Sequence, residues 1–183
     1  MSKKEWILIF GITTSLIVSR LIPHAPNFTS SLAGFLFGAV VIRKNIAGLV
    51  LLFGYFLADL VINNMVYPSD TIQWLSSGFE WFFTSFLIIF FANKLFTAYG
   101  YNPTKIIGLS IMSSLIFFVF SNFAVWVGSI LYSSDLAGLS ACFIAAIPFF
   151  MNELAGTLFY SCMFFGVYWI YEYKQLKSAK VIV

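Results

Sequence analysis

The chain has 183 residues, of which 61% are hydrophobic and 9% are charged, and its mean hydropathy is +0.94. Soluble domains carry about 25% charged residues, so this composition excludes an ordinary soluble protein and predicts an integral membrane protein. The formal net charge is +3, but the basic residues form short clusters rather than one stripe, which argues against a nucleic-acid partner.

Six apolar segments are candidate transmembrane helices, since a hydrocarbon core of about 30 Å needs roughly 20 mostly apolar residues. In chain order they cover approximately residues 6–22, 28–42, 46–66, 76–96, 106–131 and 150–171. The second is short enough to be tilted, buried or partly re-entrant. A separate short helix over 136–147 is expected before the last span, because Pro148 removes a backbone donor and clashes with the preceding turn. The predicted fold class is all-α, a single polytopic transmembrane domain over residues 1–183.

The basic residues predict the orientation of these spans. Six spans put both termini on one side, and nine of the ten basic residues fall on that side: Lys3, Lys4, Arg43, Lys44, Lys94, Lys105, Lys174, Lys177 and Lys180. The loops on the other side carry Asp70 and Asp135. Arg20 is the one basic residue that falls on that side. The positive-inside rule therefore predicts a multi-pass protein of the bacterial cytoplasmic (inner) membrane with both termini in the cytoplasm.

Polar side chains gather toward the non-cytoplasmic ends of the predicted helices. An ionisable residue inside a membrane costs at least ~2.5 kcal/mol on insertion scales, so each needs a partner, a wet cavity or a function. At ~1.5 Å per residue, Asp59 lies about 20 Å along its helix from the cytoplasmic start. The candidate ligand-binding residues at this level are Arg20, His24, Asn27, Asp59, Asn63, Glu80, Asn122, Trp126, Asn152 and Glu153. Their convergence predicts a ligand site in the outer half of the bundle.

Several of these residues also have a purely structural interpretation. Arg20 paired with Asp59 or Glu80 would lock helices together without any ligand. His24 is more typical of a satisfied loop histidine than of a metal ligand, because no second His and no nearby Cys accompany it. Trp126 fits either a ligand site or an interfacial aromatic belt. No metal centre and no cofactor are predicted.

Small residues on the first helix suggest a surface for close helix packing. Gly11 and Ser15 have small-xxx-small spacing, which lets a second helix approach closely, either within the chain or from a partner protein. Nothing in the sequence resembles an ATP-binding loop, so any energy for transport would have to come from another protein.

One run of residues resembles a known family. The run from Arg20 to Phe28 (RLIPHAPNF) is similar to the opening signature of an uncharacterised bacterial family, common in Bacteroidetes, of multi-helix membrane proteins that resemble the substrate-binding (S) components of energy-coupling factor (ECF) transporters. The resemblance extends to Asp59, the Asn122 and Trp126 pair, and the segment 148–152 with Gly156.

The resemblance implies a six-helix S-component-like bundle with an outward-facing site for a vitamin or similar micronutrient. It also implies a transmembrane coupling subunit with two ATPases as partners. The chain departs from these patterns in two places: the first helix has Gly11 and Ser15 instead of an Ala-xxx-Ala docking pattern, and Thr157 stands where the family has an acidic residue.

Three functions are compatible with the sequence. The leading hypothesis is a membrane-embedded binding component for uptake of a small, vitamin-like nutrient. The alternative is a structural or assembly subunit of a larger membrane complex. An intramembrane enzyme that uses Asp59, Glu80 or Glu153 with His24 ranks last, because no nucleophile-and-base spacing recommends it. We therefore do not expect an enzyme.

Overall fold

The computed structural model describes residues 1–66, 71–76 and 78–181. Within these ranges the chain is all-helical, as predicted, and contains no strand. The helices are α1 (Lys3–Leu21), α2 (Ser31–Phe37, continued by a π-helical turn Gly38–Ile42), α3 (Asn45–Val61, continued by a π-helical turn Ile62–Val66), α4 (Phe79–Phe96), α5 (Pro103–Gly128) and α6 (Leu136–Val181). Asp70, which contributed to the predicted orientation, lies outside the described residues.

Four of the described helices are long and apolar enough to cross a membrane. They cover Asn45–Val66, Phe79–Phe96, Pro103–Gly128 and Leu136–Ser178. α1 is similar in length, but it carries charged side chains at both ends. α2 with its π-helical turn, Ser31–Ile42, covers only about 18 Å at ~1.5 Å per residue. The helices fit membrane localisation, and six full spans remain a prediction.

The sequence prediction was wrong about the last part of the chain. The expected short helix over 136–147 and separate span over 150–171 are one continuous helix, Leu136–Val181, with Pro148 inside it. A proline removes one donor, the one that would bond to the carbonyl of Ile144, and the remaining hydrogen bonds of the helix hold the conformation. Membrane helices tolerate such prolines. At ~1.5 Å per residue α6 is about 69 Å long, which exceeds the hydrocarbon core of a bilayer, about 30 Å.

The centre of the bundle is α2, in which all seven residues are buried. Phe35 stacks on Phe86 of α4 with 4.6 Å between ring centroids, and Phe37 packs against Phe165 of α6 at 5.1 Å. Of the interpretations that the sequence left open for this short segment, burial is the one observed. A helix too short to span is stabilised here by apolar contacts with the longer helices around it.

Polar contacts join helix ends at one end of the bundle, which we call the basic end. Lys44 Nζ, at the start of α3, lies 3.5 Å from Glu5 Oε2 near the start of α1. Lys94 Nζ, in the last turn of α4, donates to Asn45 Oδ1 at 2.7 Å. The starts of α1 and α3 therefore meet the end of α4 there, and Arg20, near the other end of α1, lies at the opposite end of the bundle.

Candidate ligand-binding site

A cavity of about 570 Å³ lies at the end of the bundle opposite the basic end, and all six helices contribute to its lining. This volume falls within the range of small-molecule sites, about 300–1,000 Å³. Its charged and amide residues are Arg20, Asn27, Asp59, Asn122 and Glu153. Its aromatic residues are Tyr55, Phe82, Phe86, Phe117, Phe118, Tyr132, Phe149 and Phe150.

An ion pair between α1 and α3 forms one part of the cavity lining. Arg20 Nη2 donates to Asp59 Oδ1 at 2.9 Å, and the two side chains are only 15% and 8% exposed. The Arg20 guanidinium carbon lies 3.9 Å from the centroid of the Tyr55 ring. Asp59 Oδ2 accepts hydrogen bonds from Ser76 Oγ at 2.7 Å and from Asn63 Nδ2 at 3.4 Å. Both oxygens of the Asp59 carboxylate therefore have partners within the protein.

Glu153 on α6 is the second carboxylate of the cavity, and its surroundings differ. The residue is 6% exposed. Its Oε1 accepts from Ser114 Oγ at 3.2 Å and from Thr157 Oγ1 at 2.6 Å. Its Oε2 is buried and has no hydrogen-bond partner among the described residues. An unpaired polar atom in such a place is costly unless something else satisfies it.

Aromatic rings connect the four long helices around the cavity. Tyr55 of α3 meets Phe86 of α4 with 4.6 Å between centroids, and Phe86 meets Phe117 of α5 at 5.7 Å. The next residue of α5, Phe118, lies 4.9 Å from Phe150 of α6, measured between ring centroids. Ring faces and edges of this kind bind planar, ring-containing groups by stacking and edge-to-face contacts.

A glycine on α6 allows the close approach that completes the cavity. A Cβ added at Gly156 would lie 3.1 Å from both Phe28 Cα and Thr29 N, which are backbone atoms of the segment between α1 and α2. Only a residue without a side chain fits comfortably between these backbones. This contact brings Thr29 and Glu153, three residues before Gly156, into the same cavity lining.

Five of the ten predicted site residues line this cavity: Arg20, Asn27, Asp59, Asn122 and Glu153. A sixth, Asn63, contacts the cavity residues Asp59 and Ser76, since its Nδ2 lies 2.9 Å from Ser76 Oγ. Asn122 itself donates from Nδ2 to the Phe118 carbonyl at 2.8 Å, which leaves its Oδ1 for another partner.

The other four predicted residues are not among those that line the cavity. His24 is exposed, with Nδ1 2.7 Å from the Ala25 carbonyl oxygen, and Glu80 is exposed in the first turn of α4. Trp126 Nε1 donates to the Ser133 carbonyl at 2.9 Å, so this ring holds the segment between α5 and α6. Asn152 is half-buried next to Glu153.

Four residues that contact Arg20, Asp59 or Glu153 were not predicted as site residues: Tyr55, Ser76, Ser114 and Thr157. Two of them had a usable signal, since Tyr55 and Thr157 lie four residues from Asp59 and Glu153, on the same helix faces. Ser114 had none, because α5 contains several serines. No group of three or more His, Cys, Asp or Glu side chains in the described ranges is arranged to hold a metal ion.

The predicted docking residues, Gly11 and Ser15, line a second and largely apolar groove of about 740 Å³ between α1 and α6. Met163 and Val167 of α6 form its other side. A Cβ added at Gly11 would meet no described atom within 4 Å. The groove therefore has room for a side chain from outside the chain.

Comparison with known proteins places the chain in a family. The model of a family of unknown function, DUF6580, matches residues 1–179, and the chain belongs to this family. No curated protein matches the chain. No solved structure matches it either.

Proposed function

We propose that this protein is a membrane-embedded substrate-binding component for uptake of a small, vitamin-like nutrient. The observation that carries the proposal is the cavity, in which charged, amide and aromatic side chains from separate helices surround about 570 Å³. Sites for small molecules typically combine such an apolar lining with a few convergent polar groups. Two buried polar atoms of cavity residues, Arg20 Nε and Glu153 Oε2, lack a partner among the described residues, as expected where a ligand completes the hydrogen bonding.

The positions of the charges support a specific orientation for this function. The positive-inside rule places the basic end in the cytoplasm, so the cavity would face the outside of a bacterial inner membrane. An outward-facing site at the end of a six-helix bundle is also what the resemblance to ECF substrate-binding components implies. On this proposal the protein captures its ligand outside and does not catalyse a reaction.

Uptake would require a partner, and the groove between α1 and α6 suggests where it binds. The groove contains both Gly11 and Ser15 and has a mainly apolar surface, which suits a transmembrane helix that packs closely against small residues. We propose that a transmembrane coupling subunit, itself served by ATPases, docks there.

Purification from the native membrane tests the proposal. The protein would be extracted in a mild detergent, and mass spectrometry would identify the small molecules and proteins that accompany it. A bound ring-containing compound together with a membrane subunit and ATPases is the expected result. A Gly11→Leu variant should lose the partner proteins and keep the small molecule, because the new side chain fills the groove and leaves the cavity unchanged.

The second candidate is a structural or assembly subunit of a larger membrane complex. The observation that favours it is the ion pair of Arg20 and Asp59, in which both oxygens of the carboxylate have partners within the chain. This candidate predicts a protein that carries no small molecule and always copurifies with one large complex. That result would replace the uptake proposal.

A further inference from the structure

The two carboxylates of the cavity differ in their counter-ions. Asp59 has Arg20 at 2.9 Å. Glu153 forms no salt bridge within the described ranges, where the other two ion pairs join Lys4 to Glu172 and Lys44 to Glu5. With one guanidinium and two carboxylates, the ionised cavity carries one unmatched negative charge, and that charge belongs to Glu153.

The hydrogen bonds of Glu153 leave one oxygen of the carboxylate without a donor. Both of its donors, the hydroxyls of Ser114 and Thr157, reach Oε1. Neither donor carries a charge. Oε2 is buried without a partner in the described part of the chain, and Glu153 lines the cavity.

An aromatic pair lies one helical turn from this carboxylate. On α5, Phe118 follows Ser114 by four residues, and on α6, Phe150 precedes Glu153 by three, so each ring shares a helix face with a member of the polar contact. The two contacts join the same two helices, with Ser114 3.2 Å from Glu153 and 4.9 Å between the rings of Phe118 and Phe150. The ring pair and the carboxylate therefore lie on neighbouring turns of the same two helices.

We propose that the cavity selects ligands that carry a positively charged nitrogen on a planar ring, with the nitrogen paired to Glu153 and the ring against Phe118 and Phe150. This inference rests on the proposed function and names the chemical class of its substrate. A charge-assisted hydrogen bond to Oε2 would satisfy the orphaned oxygen, and the surrounding rings attract a cation through their faces.

The same charges disfavour an anionic ligand. Arg20 already pairs with Asp59, and the Tyr55 ring lies against its guanidinium group. A carboxylate or phosphate in the cavity would add a second unmatched negative charge near Glu153, in an environment where charges interact more strongly than in water. A neutral ligand with a hydroxyl or amide group could donate to Oε2 but would leave the negative charge of Glu153 unmatched.

Matched ring compounds test this selection. Benzyl, indole and pyrimidine probes would each be prepared with an aminomethyl, a hydroxymethyl or a carboxymethyl group, and their affinities for the full chain in detergent would be measured by calorimetry at pH 7.5. We expect the amines to bind at least about tenfold more tightly than their neutral and anionic partners, as a hydrogen bond to a charged group predicts. Glu153→Gln should abolish this preference. Glu80→Gln, which removes an exposed carboxylate outside the cavity lining, should retain it.

The alternative results separate this inference from the proposed function. Neutral or anionic probes that bind as tightly as the amines, or a copurified ligand without a cationic nitrogen, would overturn the cation selection and leave the uptake proposal standing. A preference for amines that survives in Glu153→Gln would overturn the role of Glu153. If no probe binds and no small molecule copurifies, both the inference and the proposed function fail.

Discussion

The two carboxylates that line one cavity illustrate two ways in which a membrane protein accommodates a buried charge. Asp59 is neutralised by Arg20 and receives further hydrogen bonds from Ser76 and Asn63. Glu153 receives hydrogen bonds from two neutral hydroxyls at one oxygen, and its other oxygen has no partner in the described ranges. The first arrangement satisfies both carboxylate oxygens without a ligand and joins α1 to α3. The second leaves one carboxylate oxygen without a donor, which a ligand would supply on the proposed function.

Removal of the paired carboxylate should have the largest effect on stability. Asp59→Leu leaves the Arg20 guanidinium largely buried without its counter-ion, so the free energy of unfolding should fall by about 3–5 kcal/mol. Denaturant titration in detergent, followed by tryptophan fluorescence, measures this change. The double variant Arg20→Met with Asp59→Leu should regain most of the loss because no charge is orphaned. Unchanged stability in the single variant would show that the pair does not hold α1 to α3.

The close approach of α6 to the α1–α2 segment should show the next largest effect. Gly156→Ala forces a Cβ to within 3.1 Å of backbone atoms of Phe28 and Thr29, which should cost about 1–3 kcal/mol of unfolding free energy. Gly166→Ala is the matched control on the same helix. Its Cβ would meet no described atom within 4 Å, so the better helix propensity of Ala should stabilise the protein by up to about 1 kcal/mol. Equal effects on unfolding would contradict this account of Gly156.

Removal of the unpaired carboxylate should not destabilise the protein. Glu153→Gln keeps an acceptor for Ser114 and Thr157 and eliminates a buried charge without a counter-ion, so the free energy of unfolding should stay the same or rise by up to about 1 kcal/mol. The same denaturant titration applies. A loss comparable to the about 3–5 kcal/mol expected for a broken buried pair would show that Glu153 is as structural as Asp59.

The smallest effect on stability is expected from a third carboxylate, that of Asp135, which lies between α5 and α6 and outside the candidate membrane-spanning helices. Asp135 Oδ1 accepts from Gly138 N at 2.8 Å, at the start of α6, and from Ser133 Oγ at 2.7 Å. These hydrogen bonds hold the pKa of Asp135 below its ordinary value, the backbone bond from Gly138 contributing most. Its stabilising contribution is therefore present above the unfolded pKa of about 3.9 and is lost as the pH falls through the lower folded value.

Thermal unfolding of the wild type and Asp135→Asn between pH 7 and pH 3 measures this contribution. The wild type should be slightly more stable at pH 7, and the difference should shrink toward pH 3 as Asp135 protonates. A difference that is constant over this range would assign the effect to something other than the ionised carboxylate.

The sequence predicted how far along each helix the polar residues lie better than it predicted which side of the helix they face. Arg20, Asp59 and Asn122 were expected at one level because their distances along their helices are fixed by the rise per residue, and all three line the cavity. Glu80 was expected there too, but its side chain is exposed. Direction around a helix depends on which faces its neighbours cover, and α4 and α5 have little hydrophobic asymmetry from which to read it.

The wrong prediction of a helix break at Pro148 has a different cause. The missing donor and the clash of the proline ring with the preceding turn are both local effects, and the residues on either side of Pro148 remain helical. Leu136–Val181 is continuous because the local loss is small compared with the hydrogen bonds that remain. The contact of Glu153 with Ser114 could not be predicted either, since hydroxyl residues are frequent in α5 and the pairing of Ser114 with α6 is set by helix packing.

The proposal that the cavity binds a small molecule is tested most directly by measuring whether the cavity is occupied. Ala145 lines the cavity and has an exposed side chain, so Ala145→Trp should fill the space without disturbing the packing of α6. Ala141→Trp, one turn earlier on the same helix and also exposed, is the matched control. Mass spectrometry of the three proteins, purified alike from the native membrane, should find the same small molecule on the wild type and on Ala141→Trp, and none on Ala145→Trp. Equal occupancy in all three, or a wild type that carries nothing, would contradict the assignment of this cavity as the binding site.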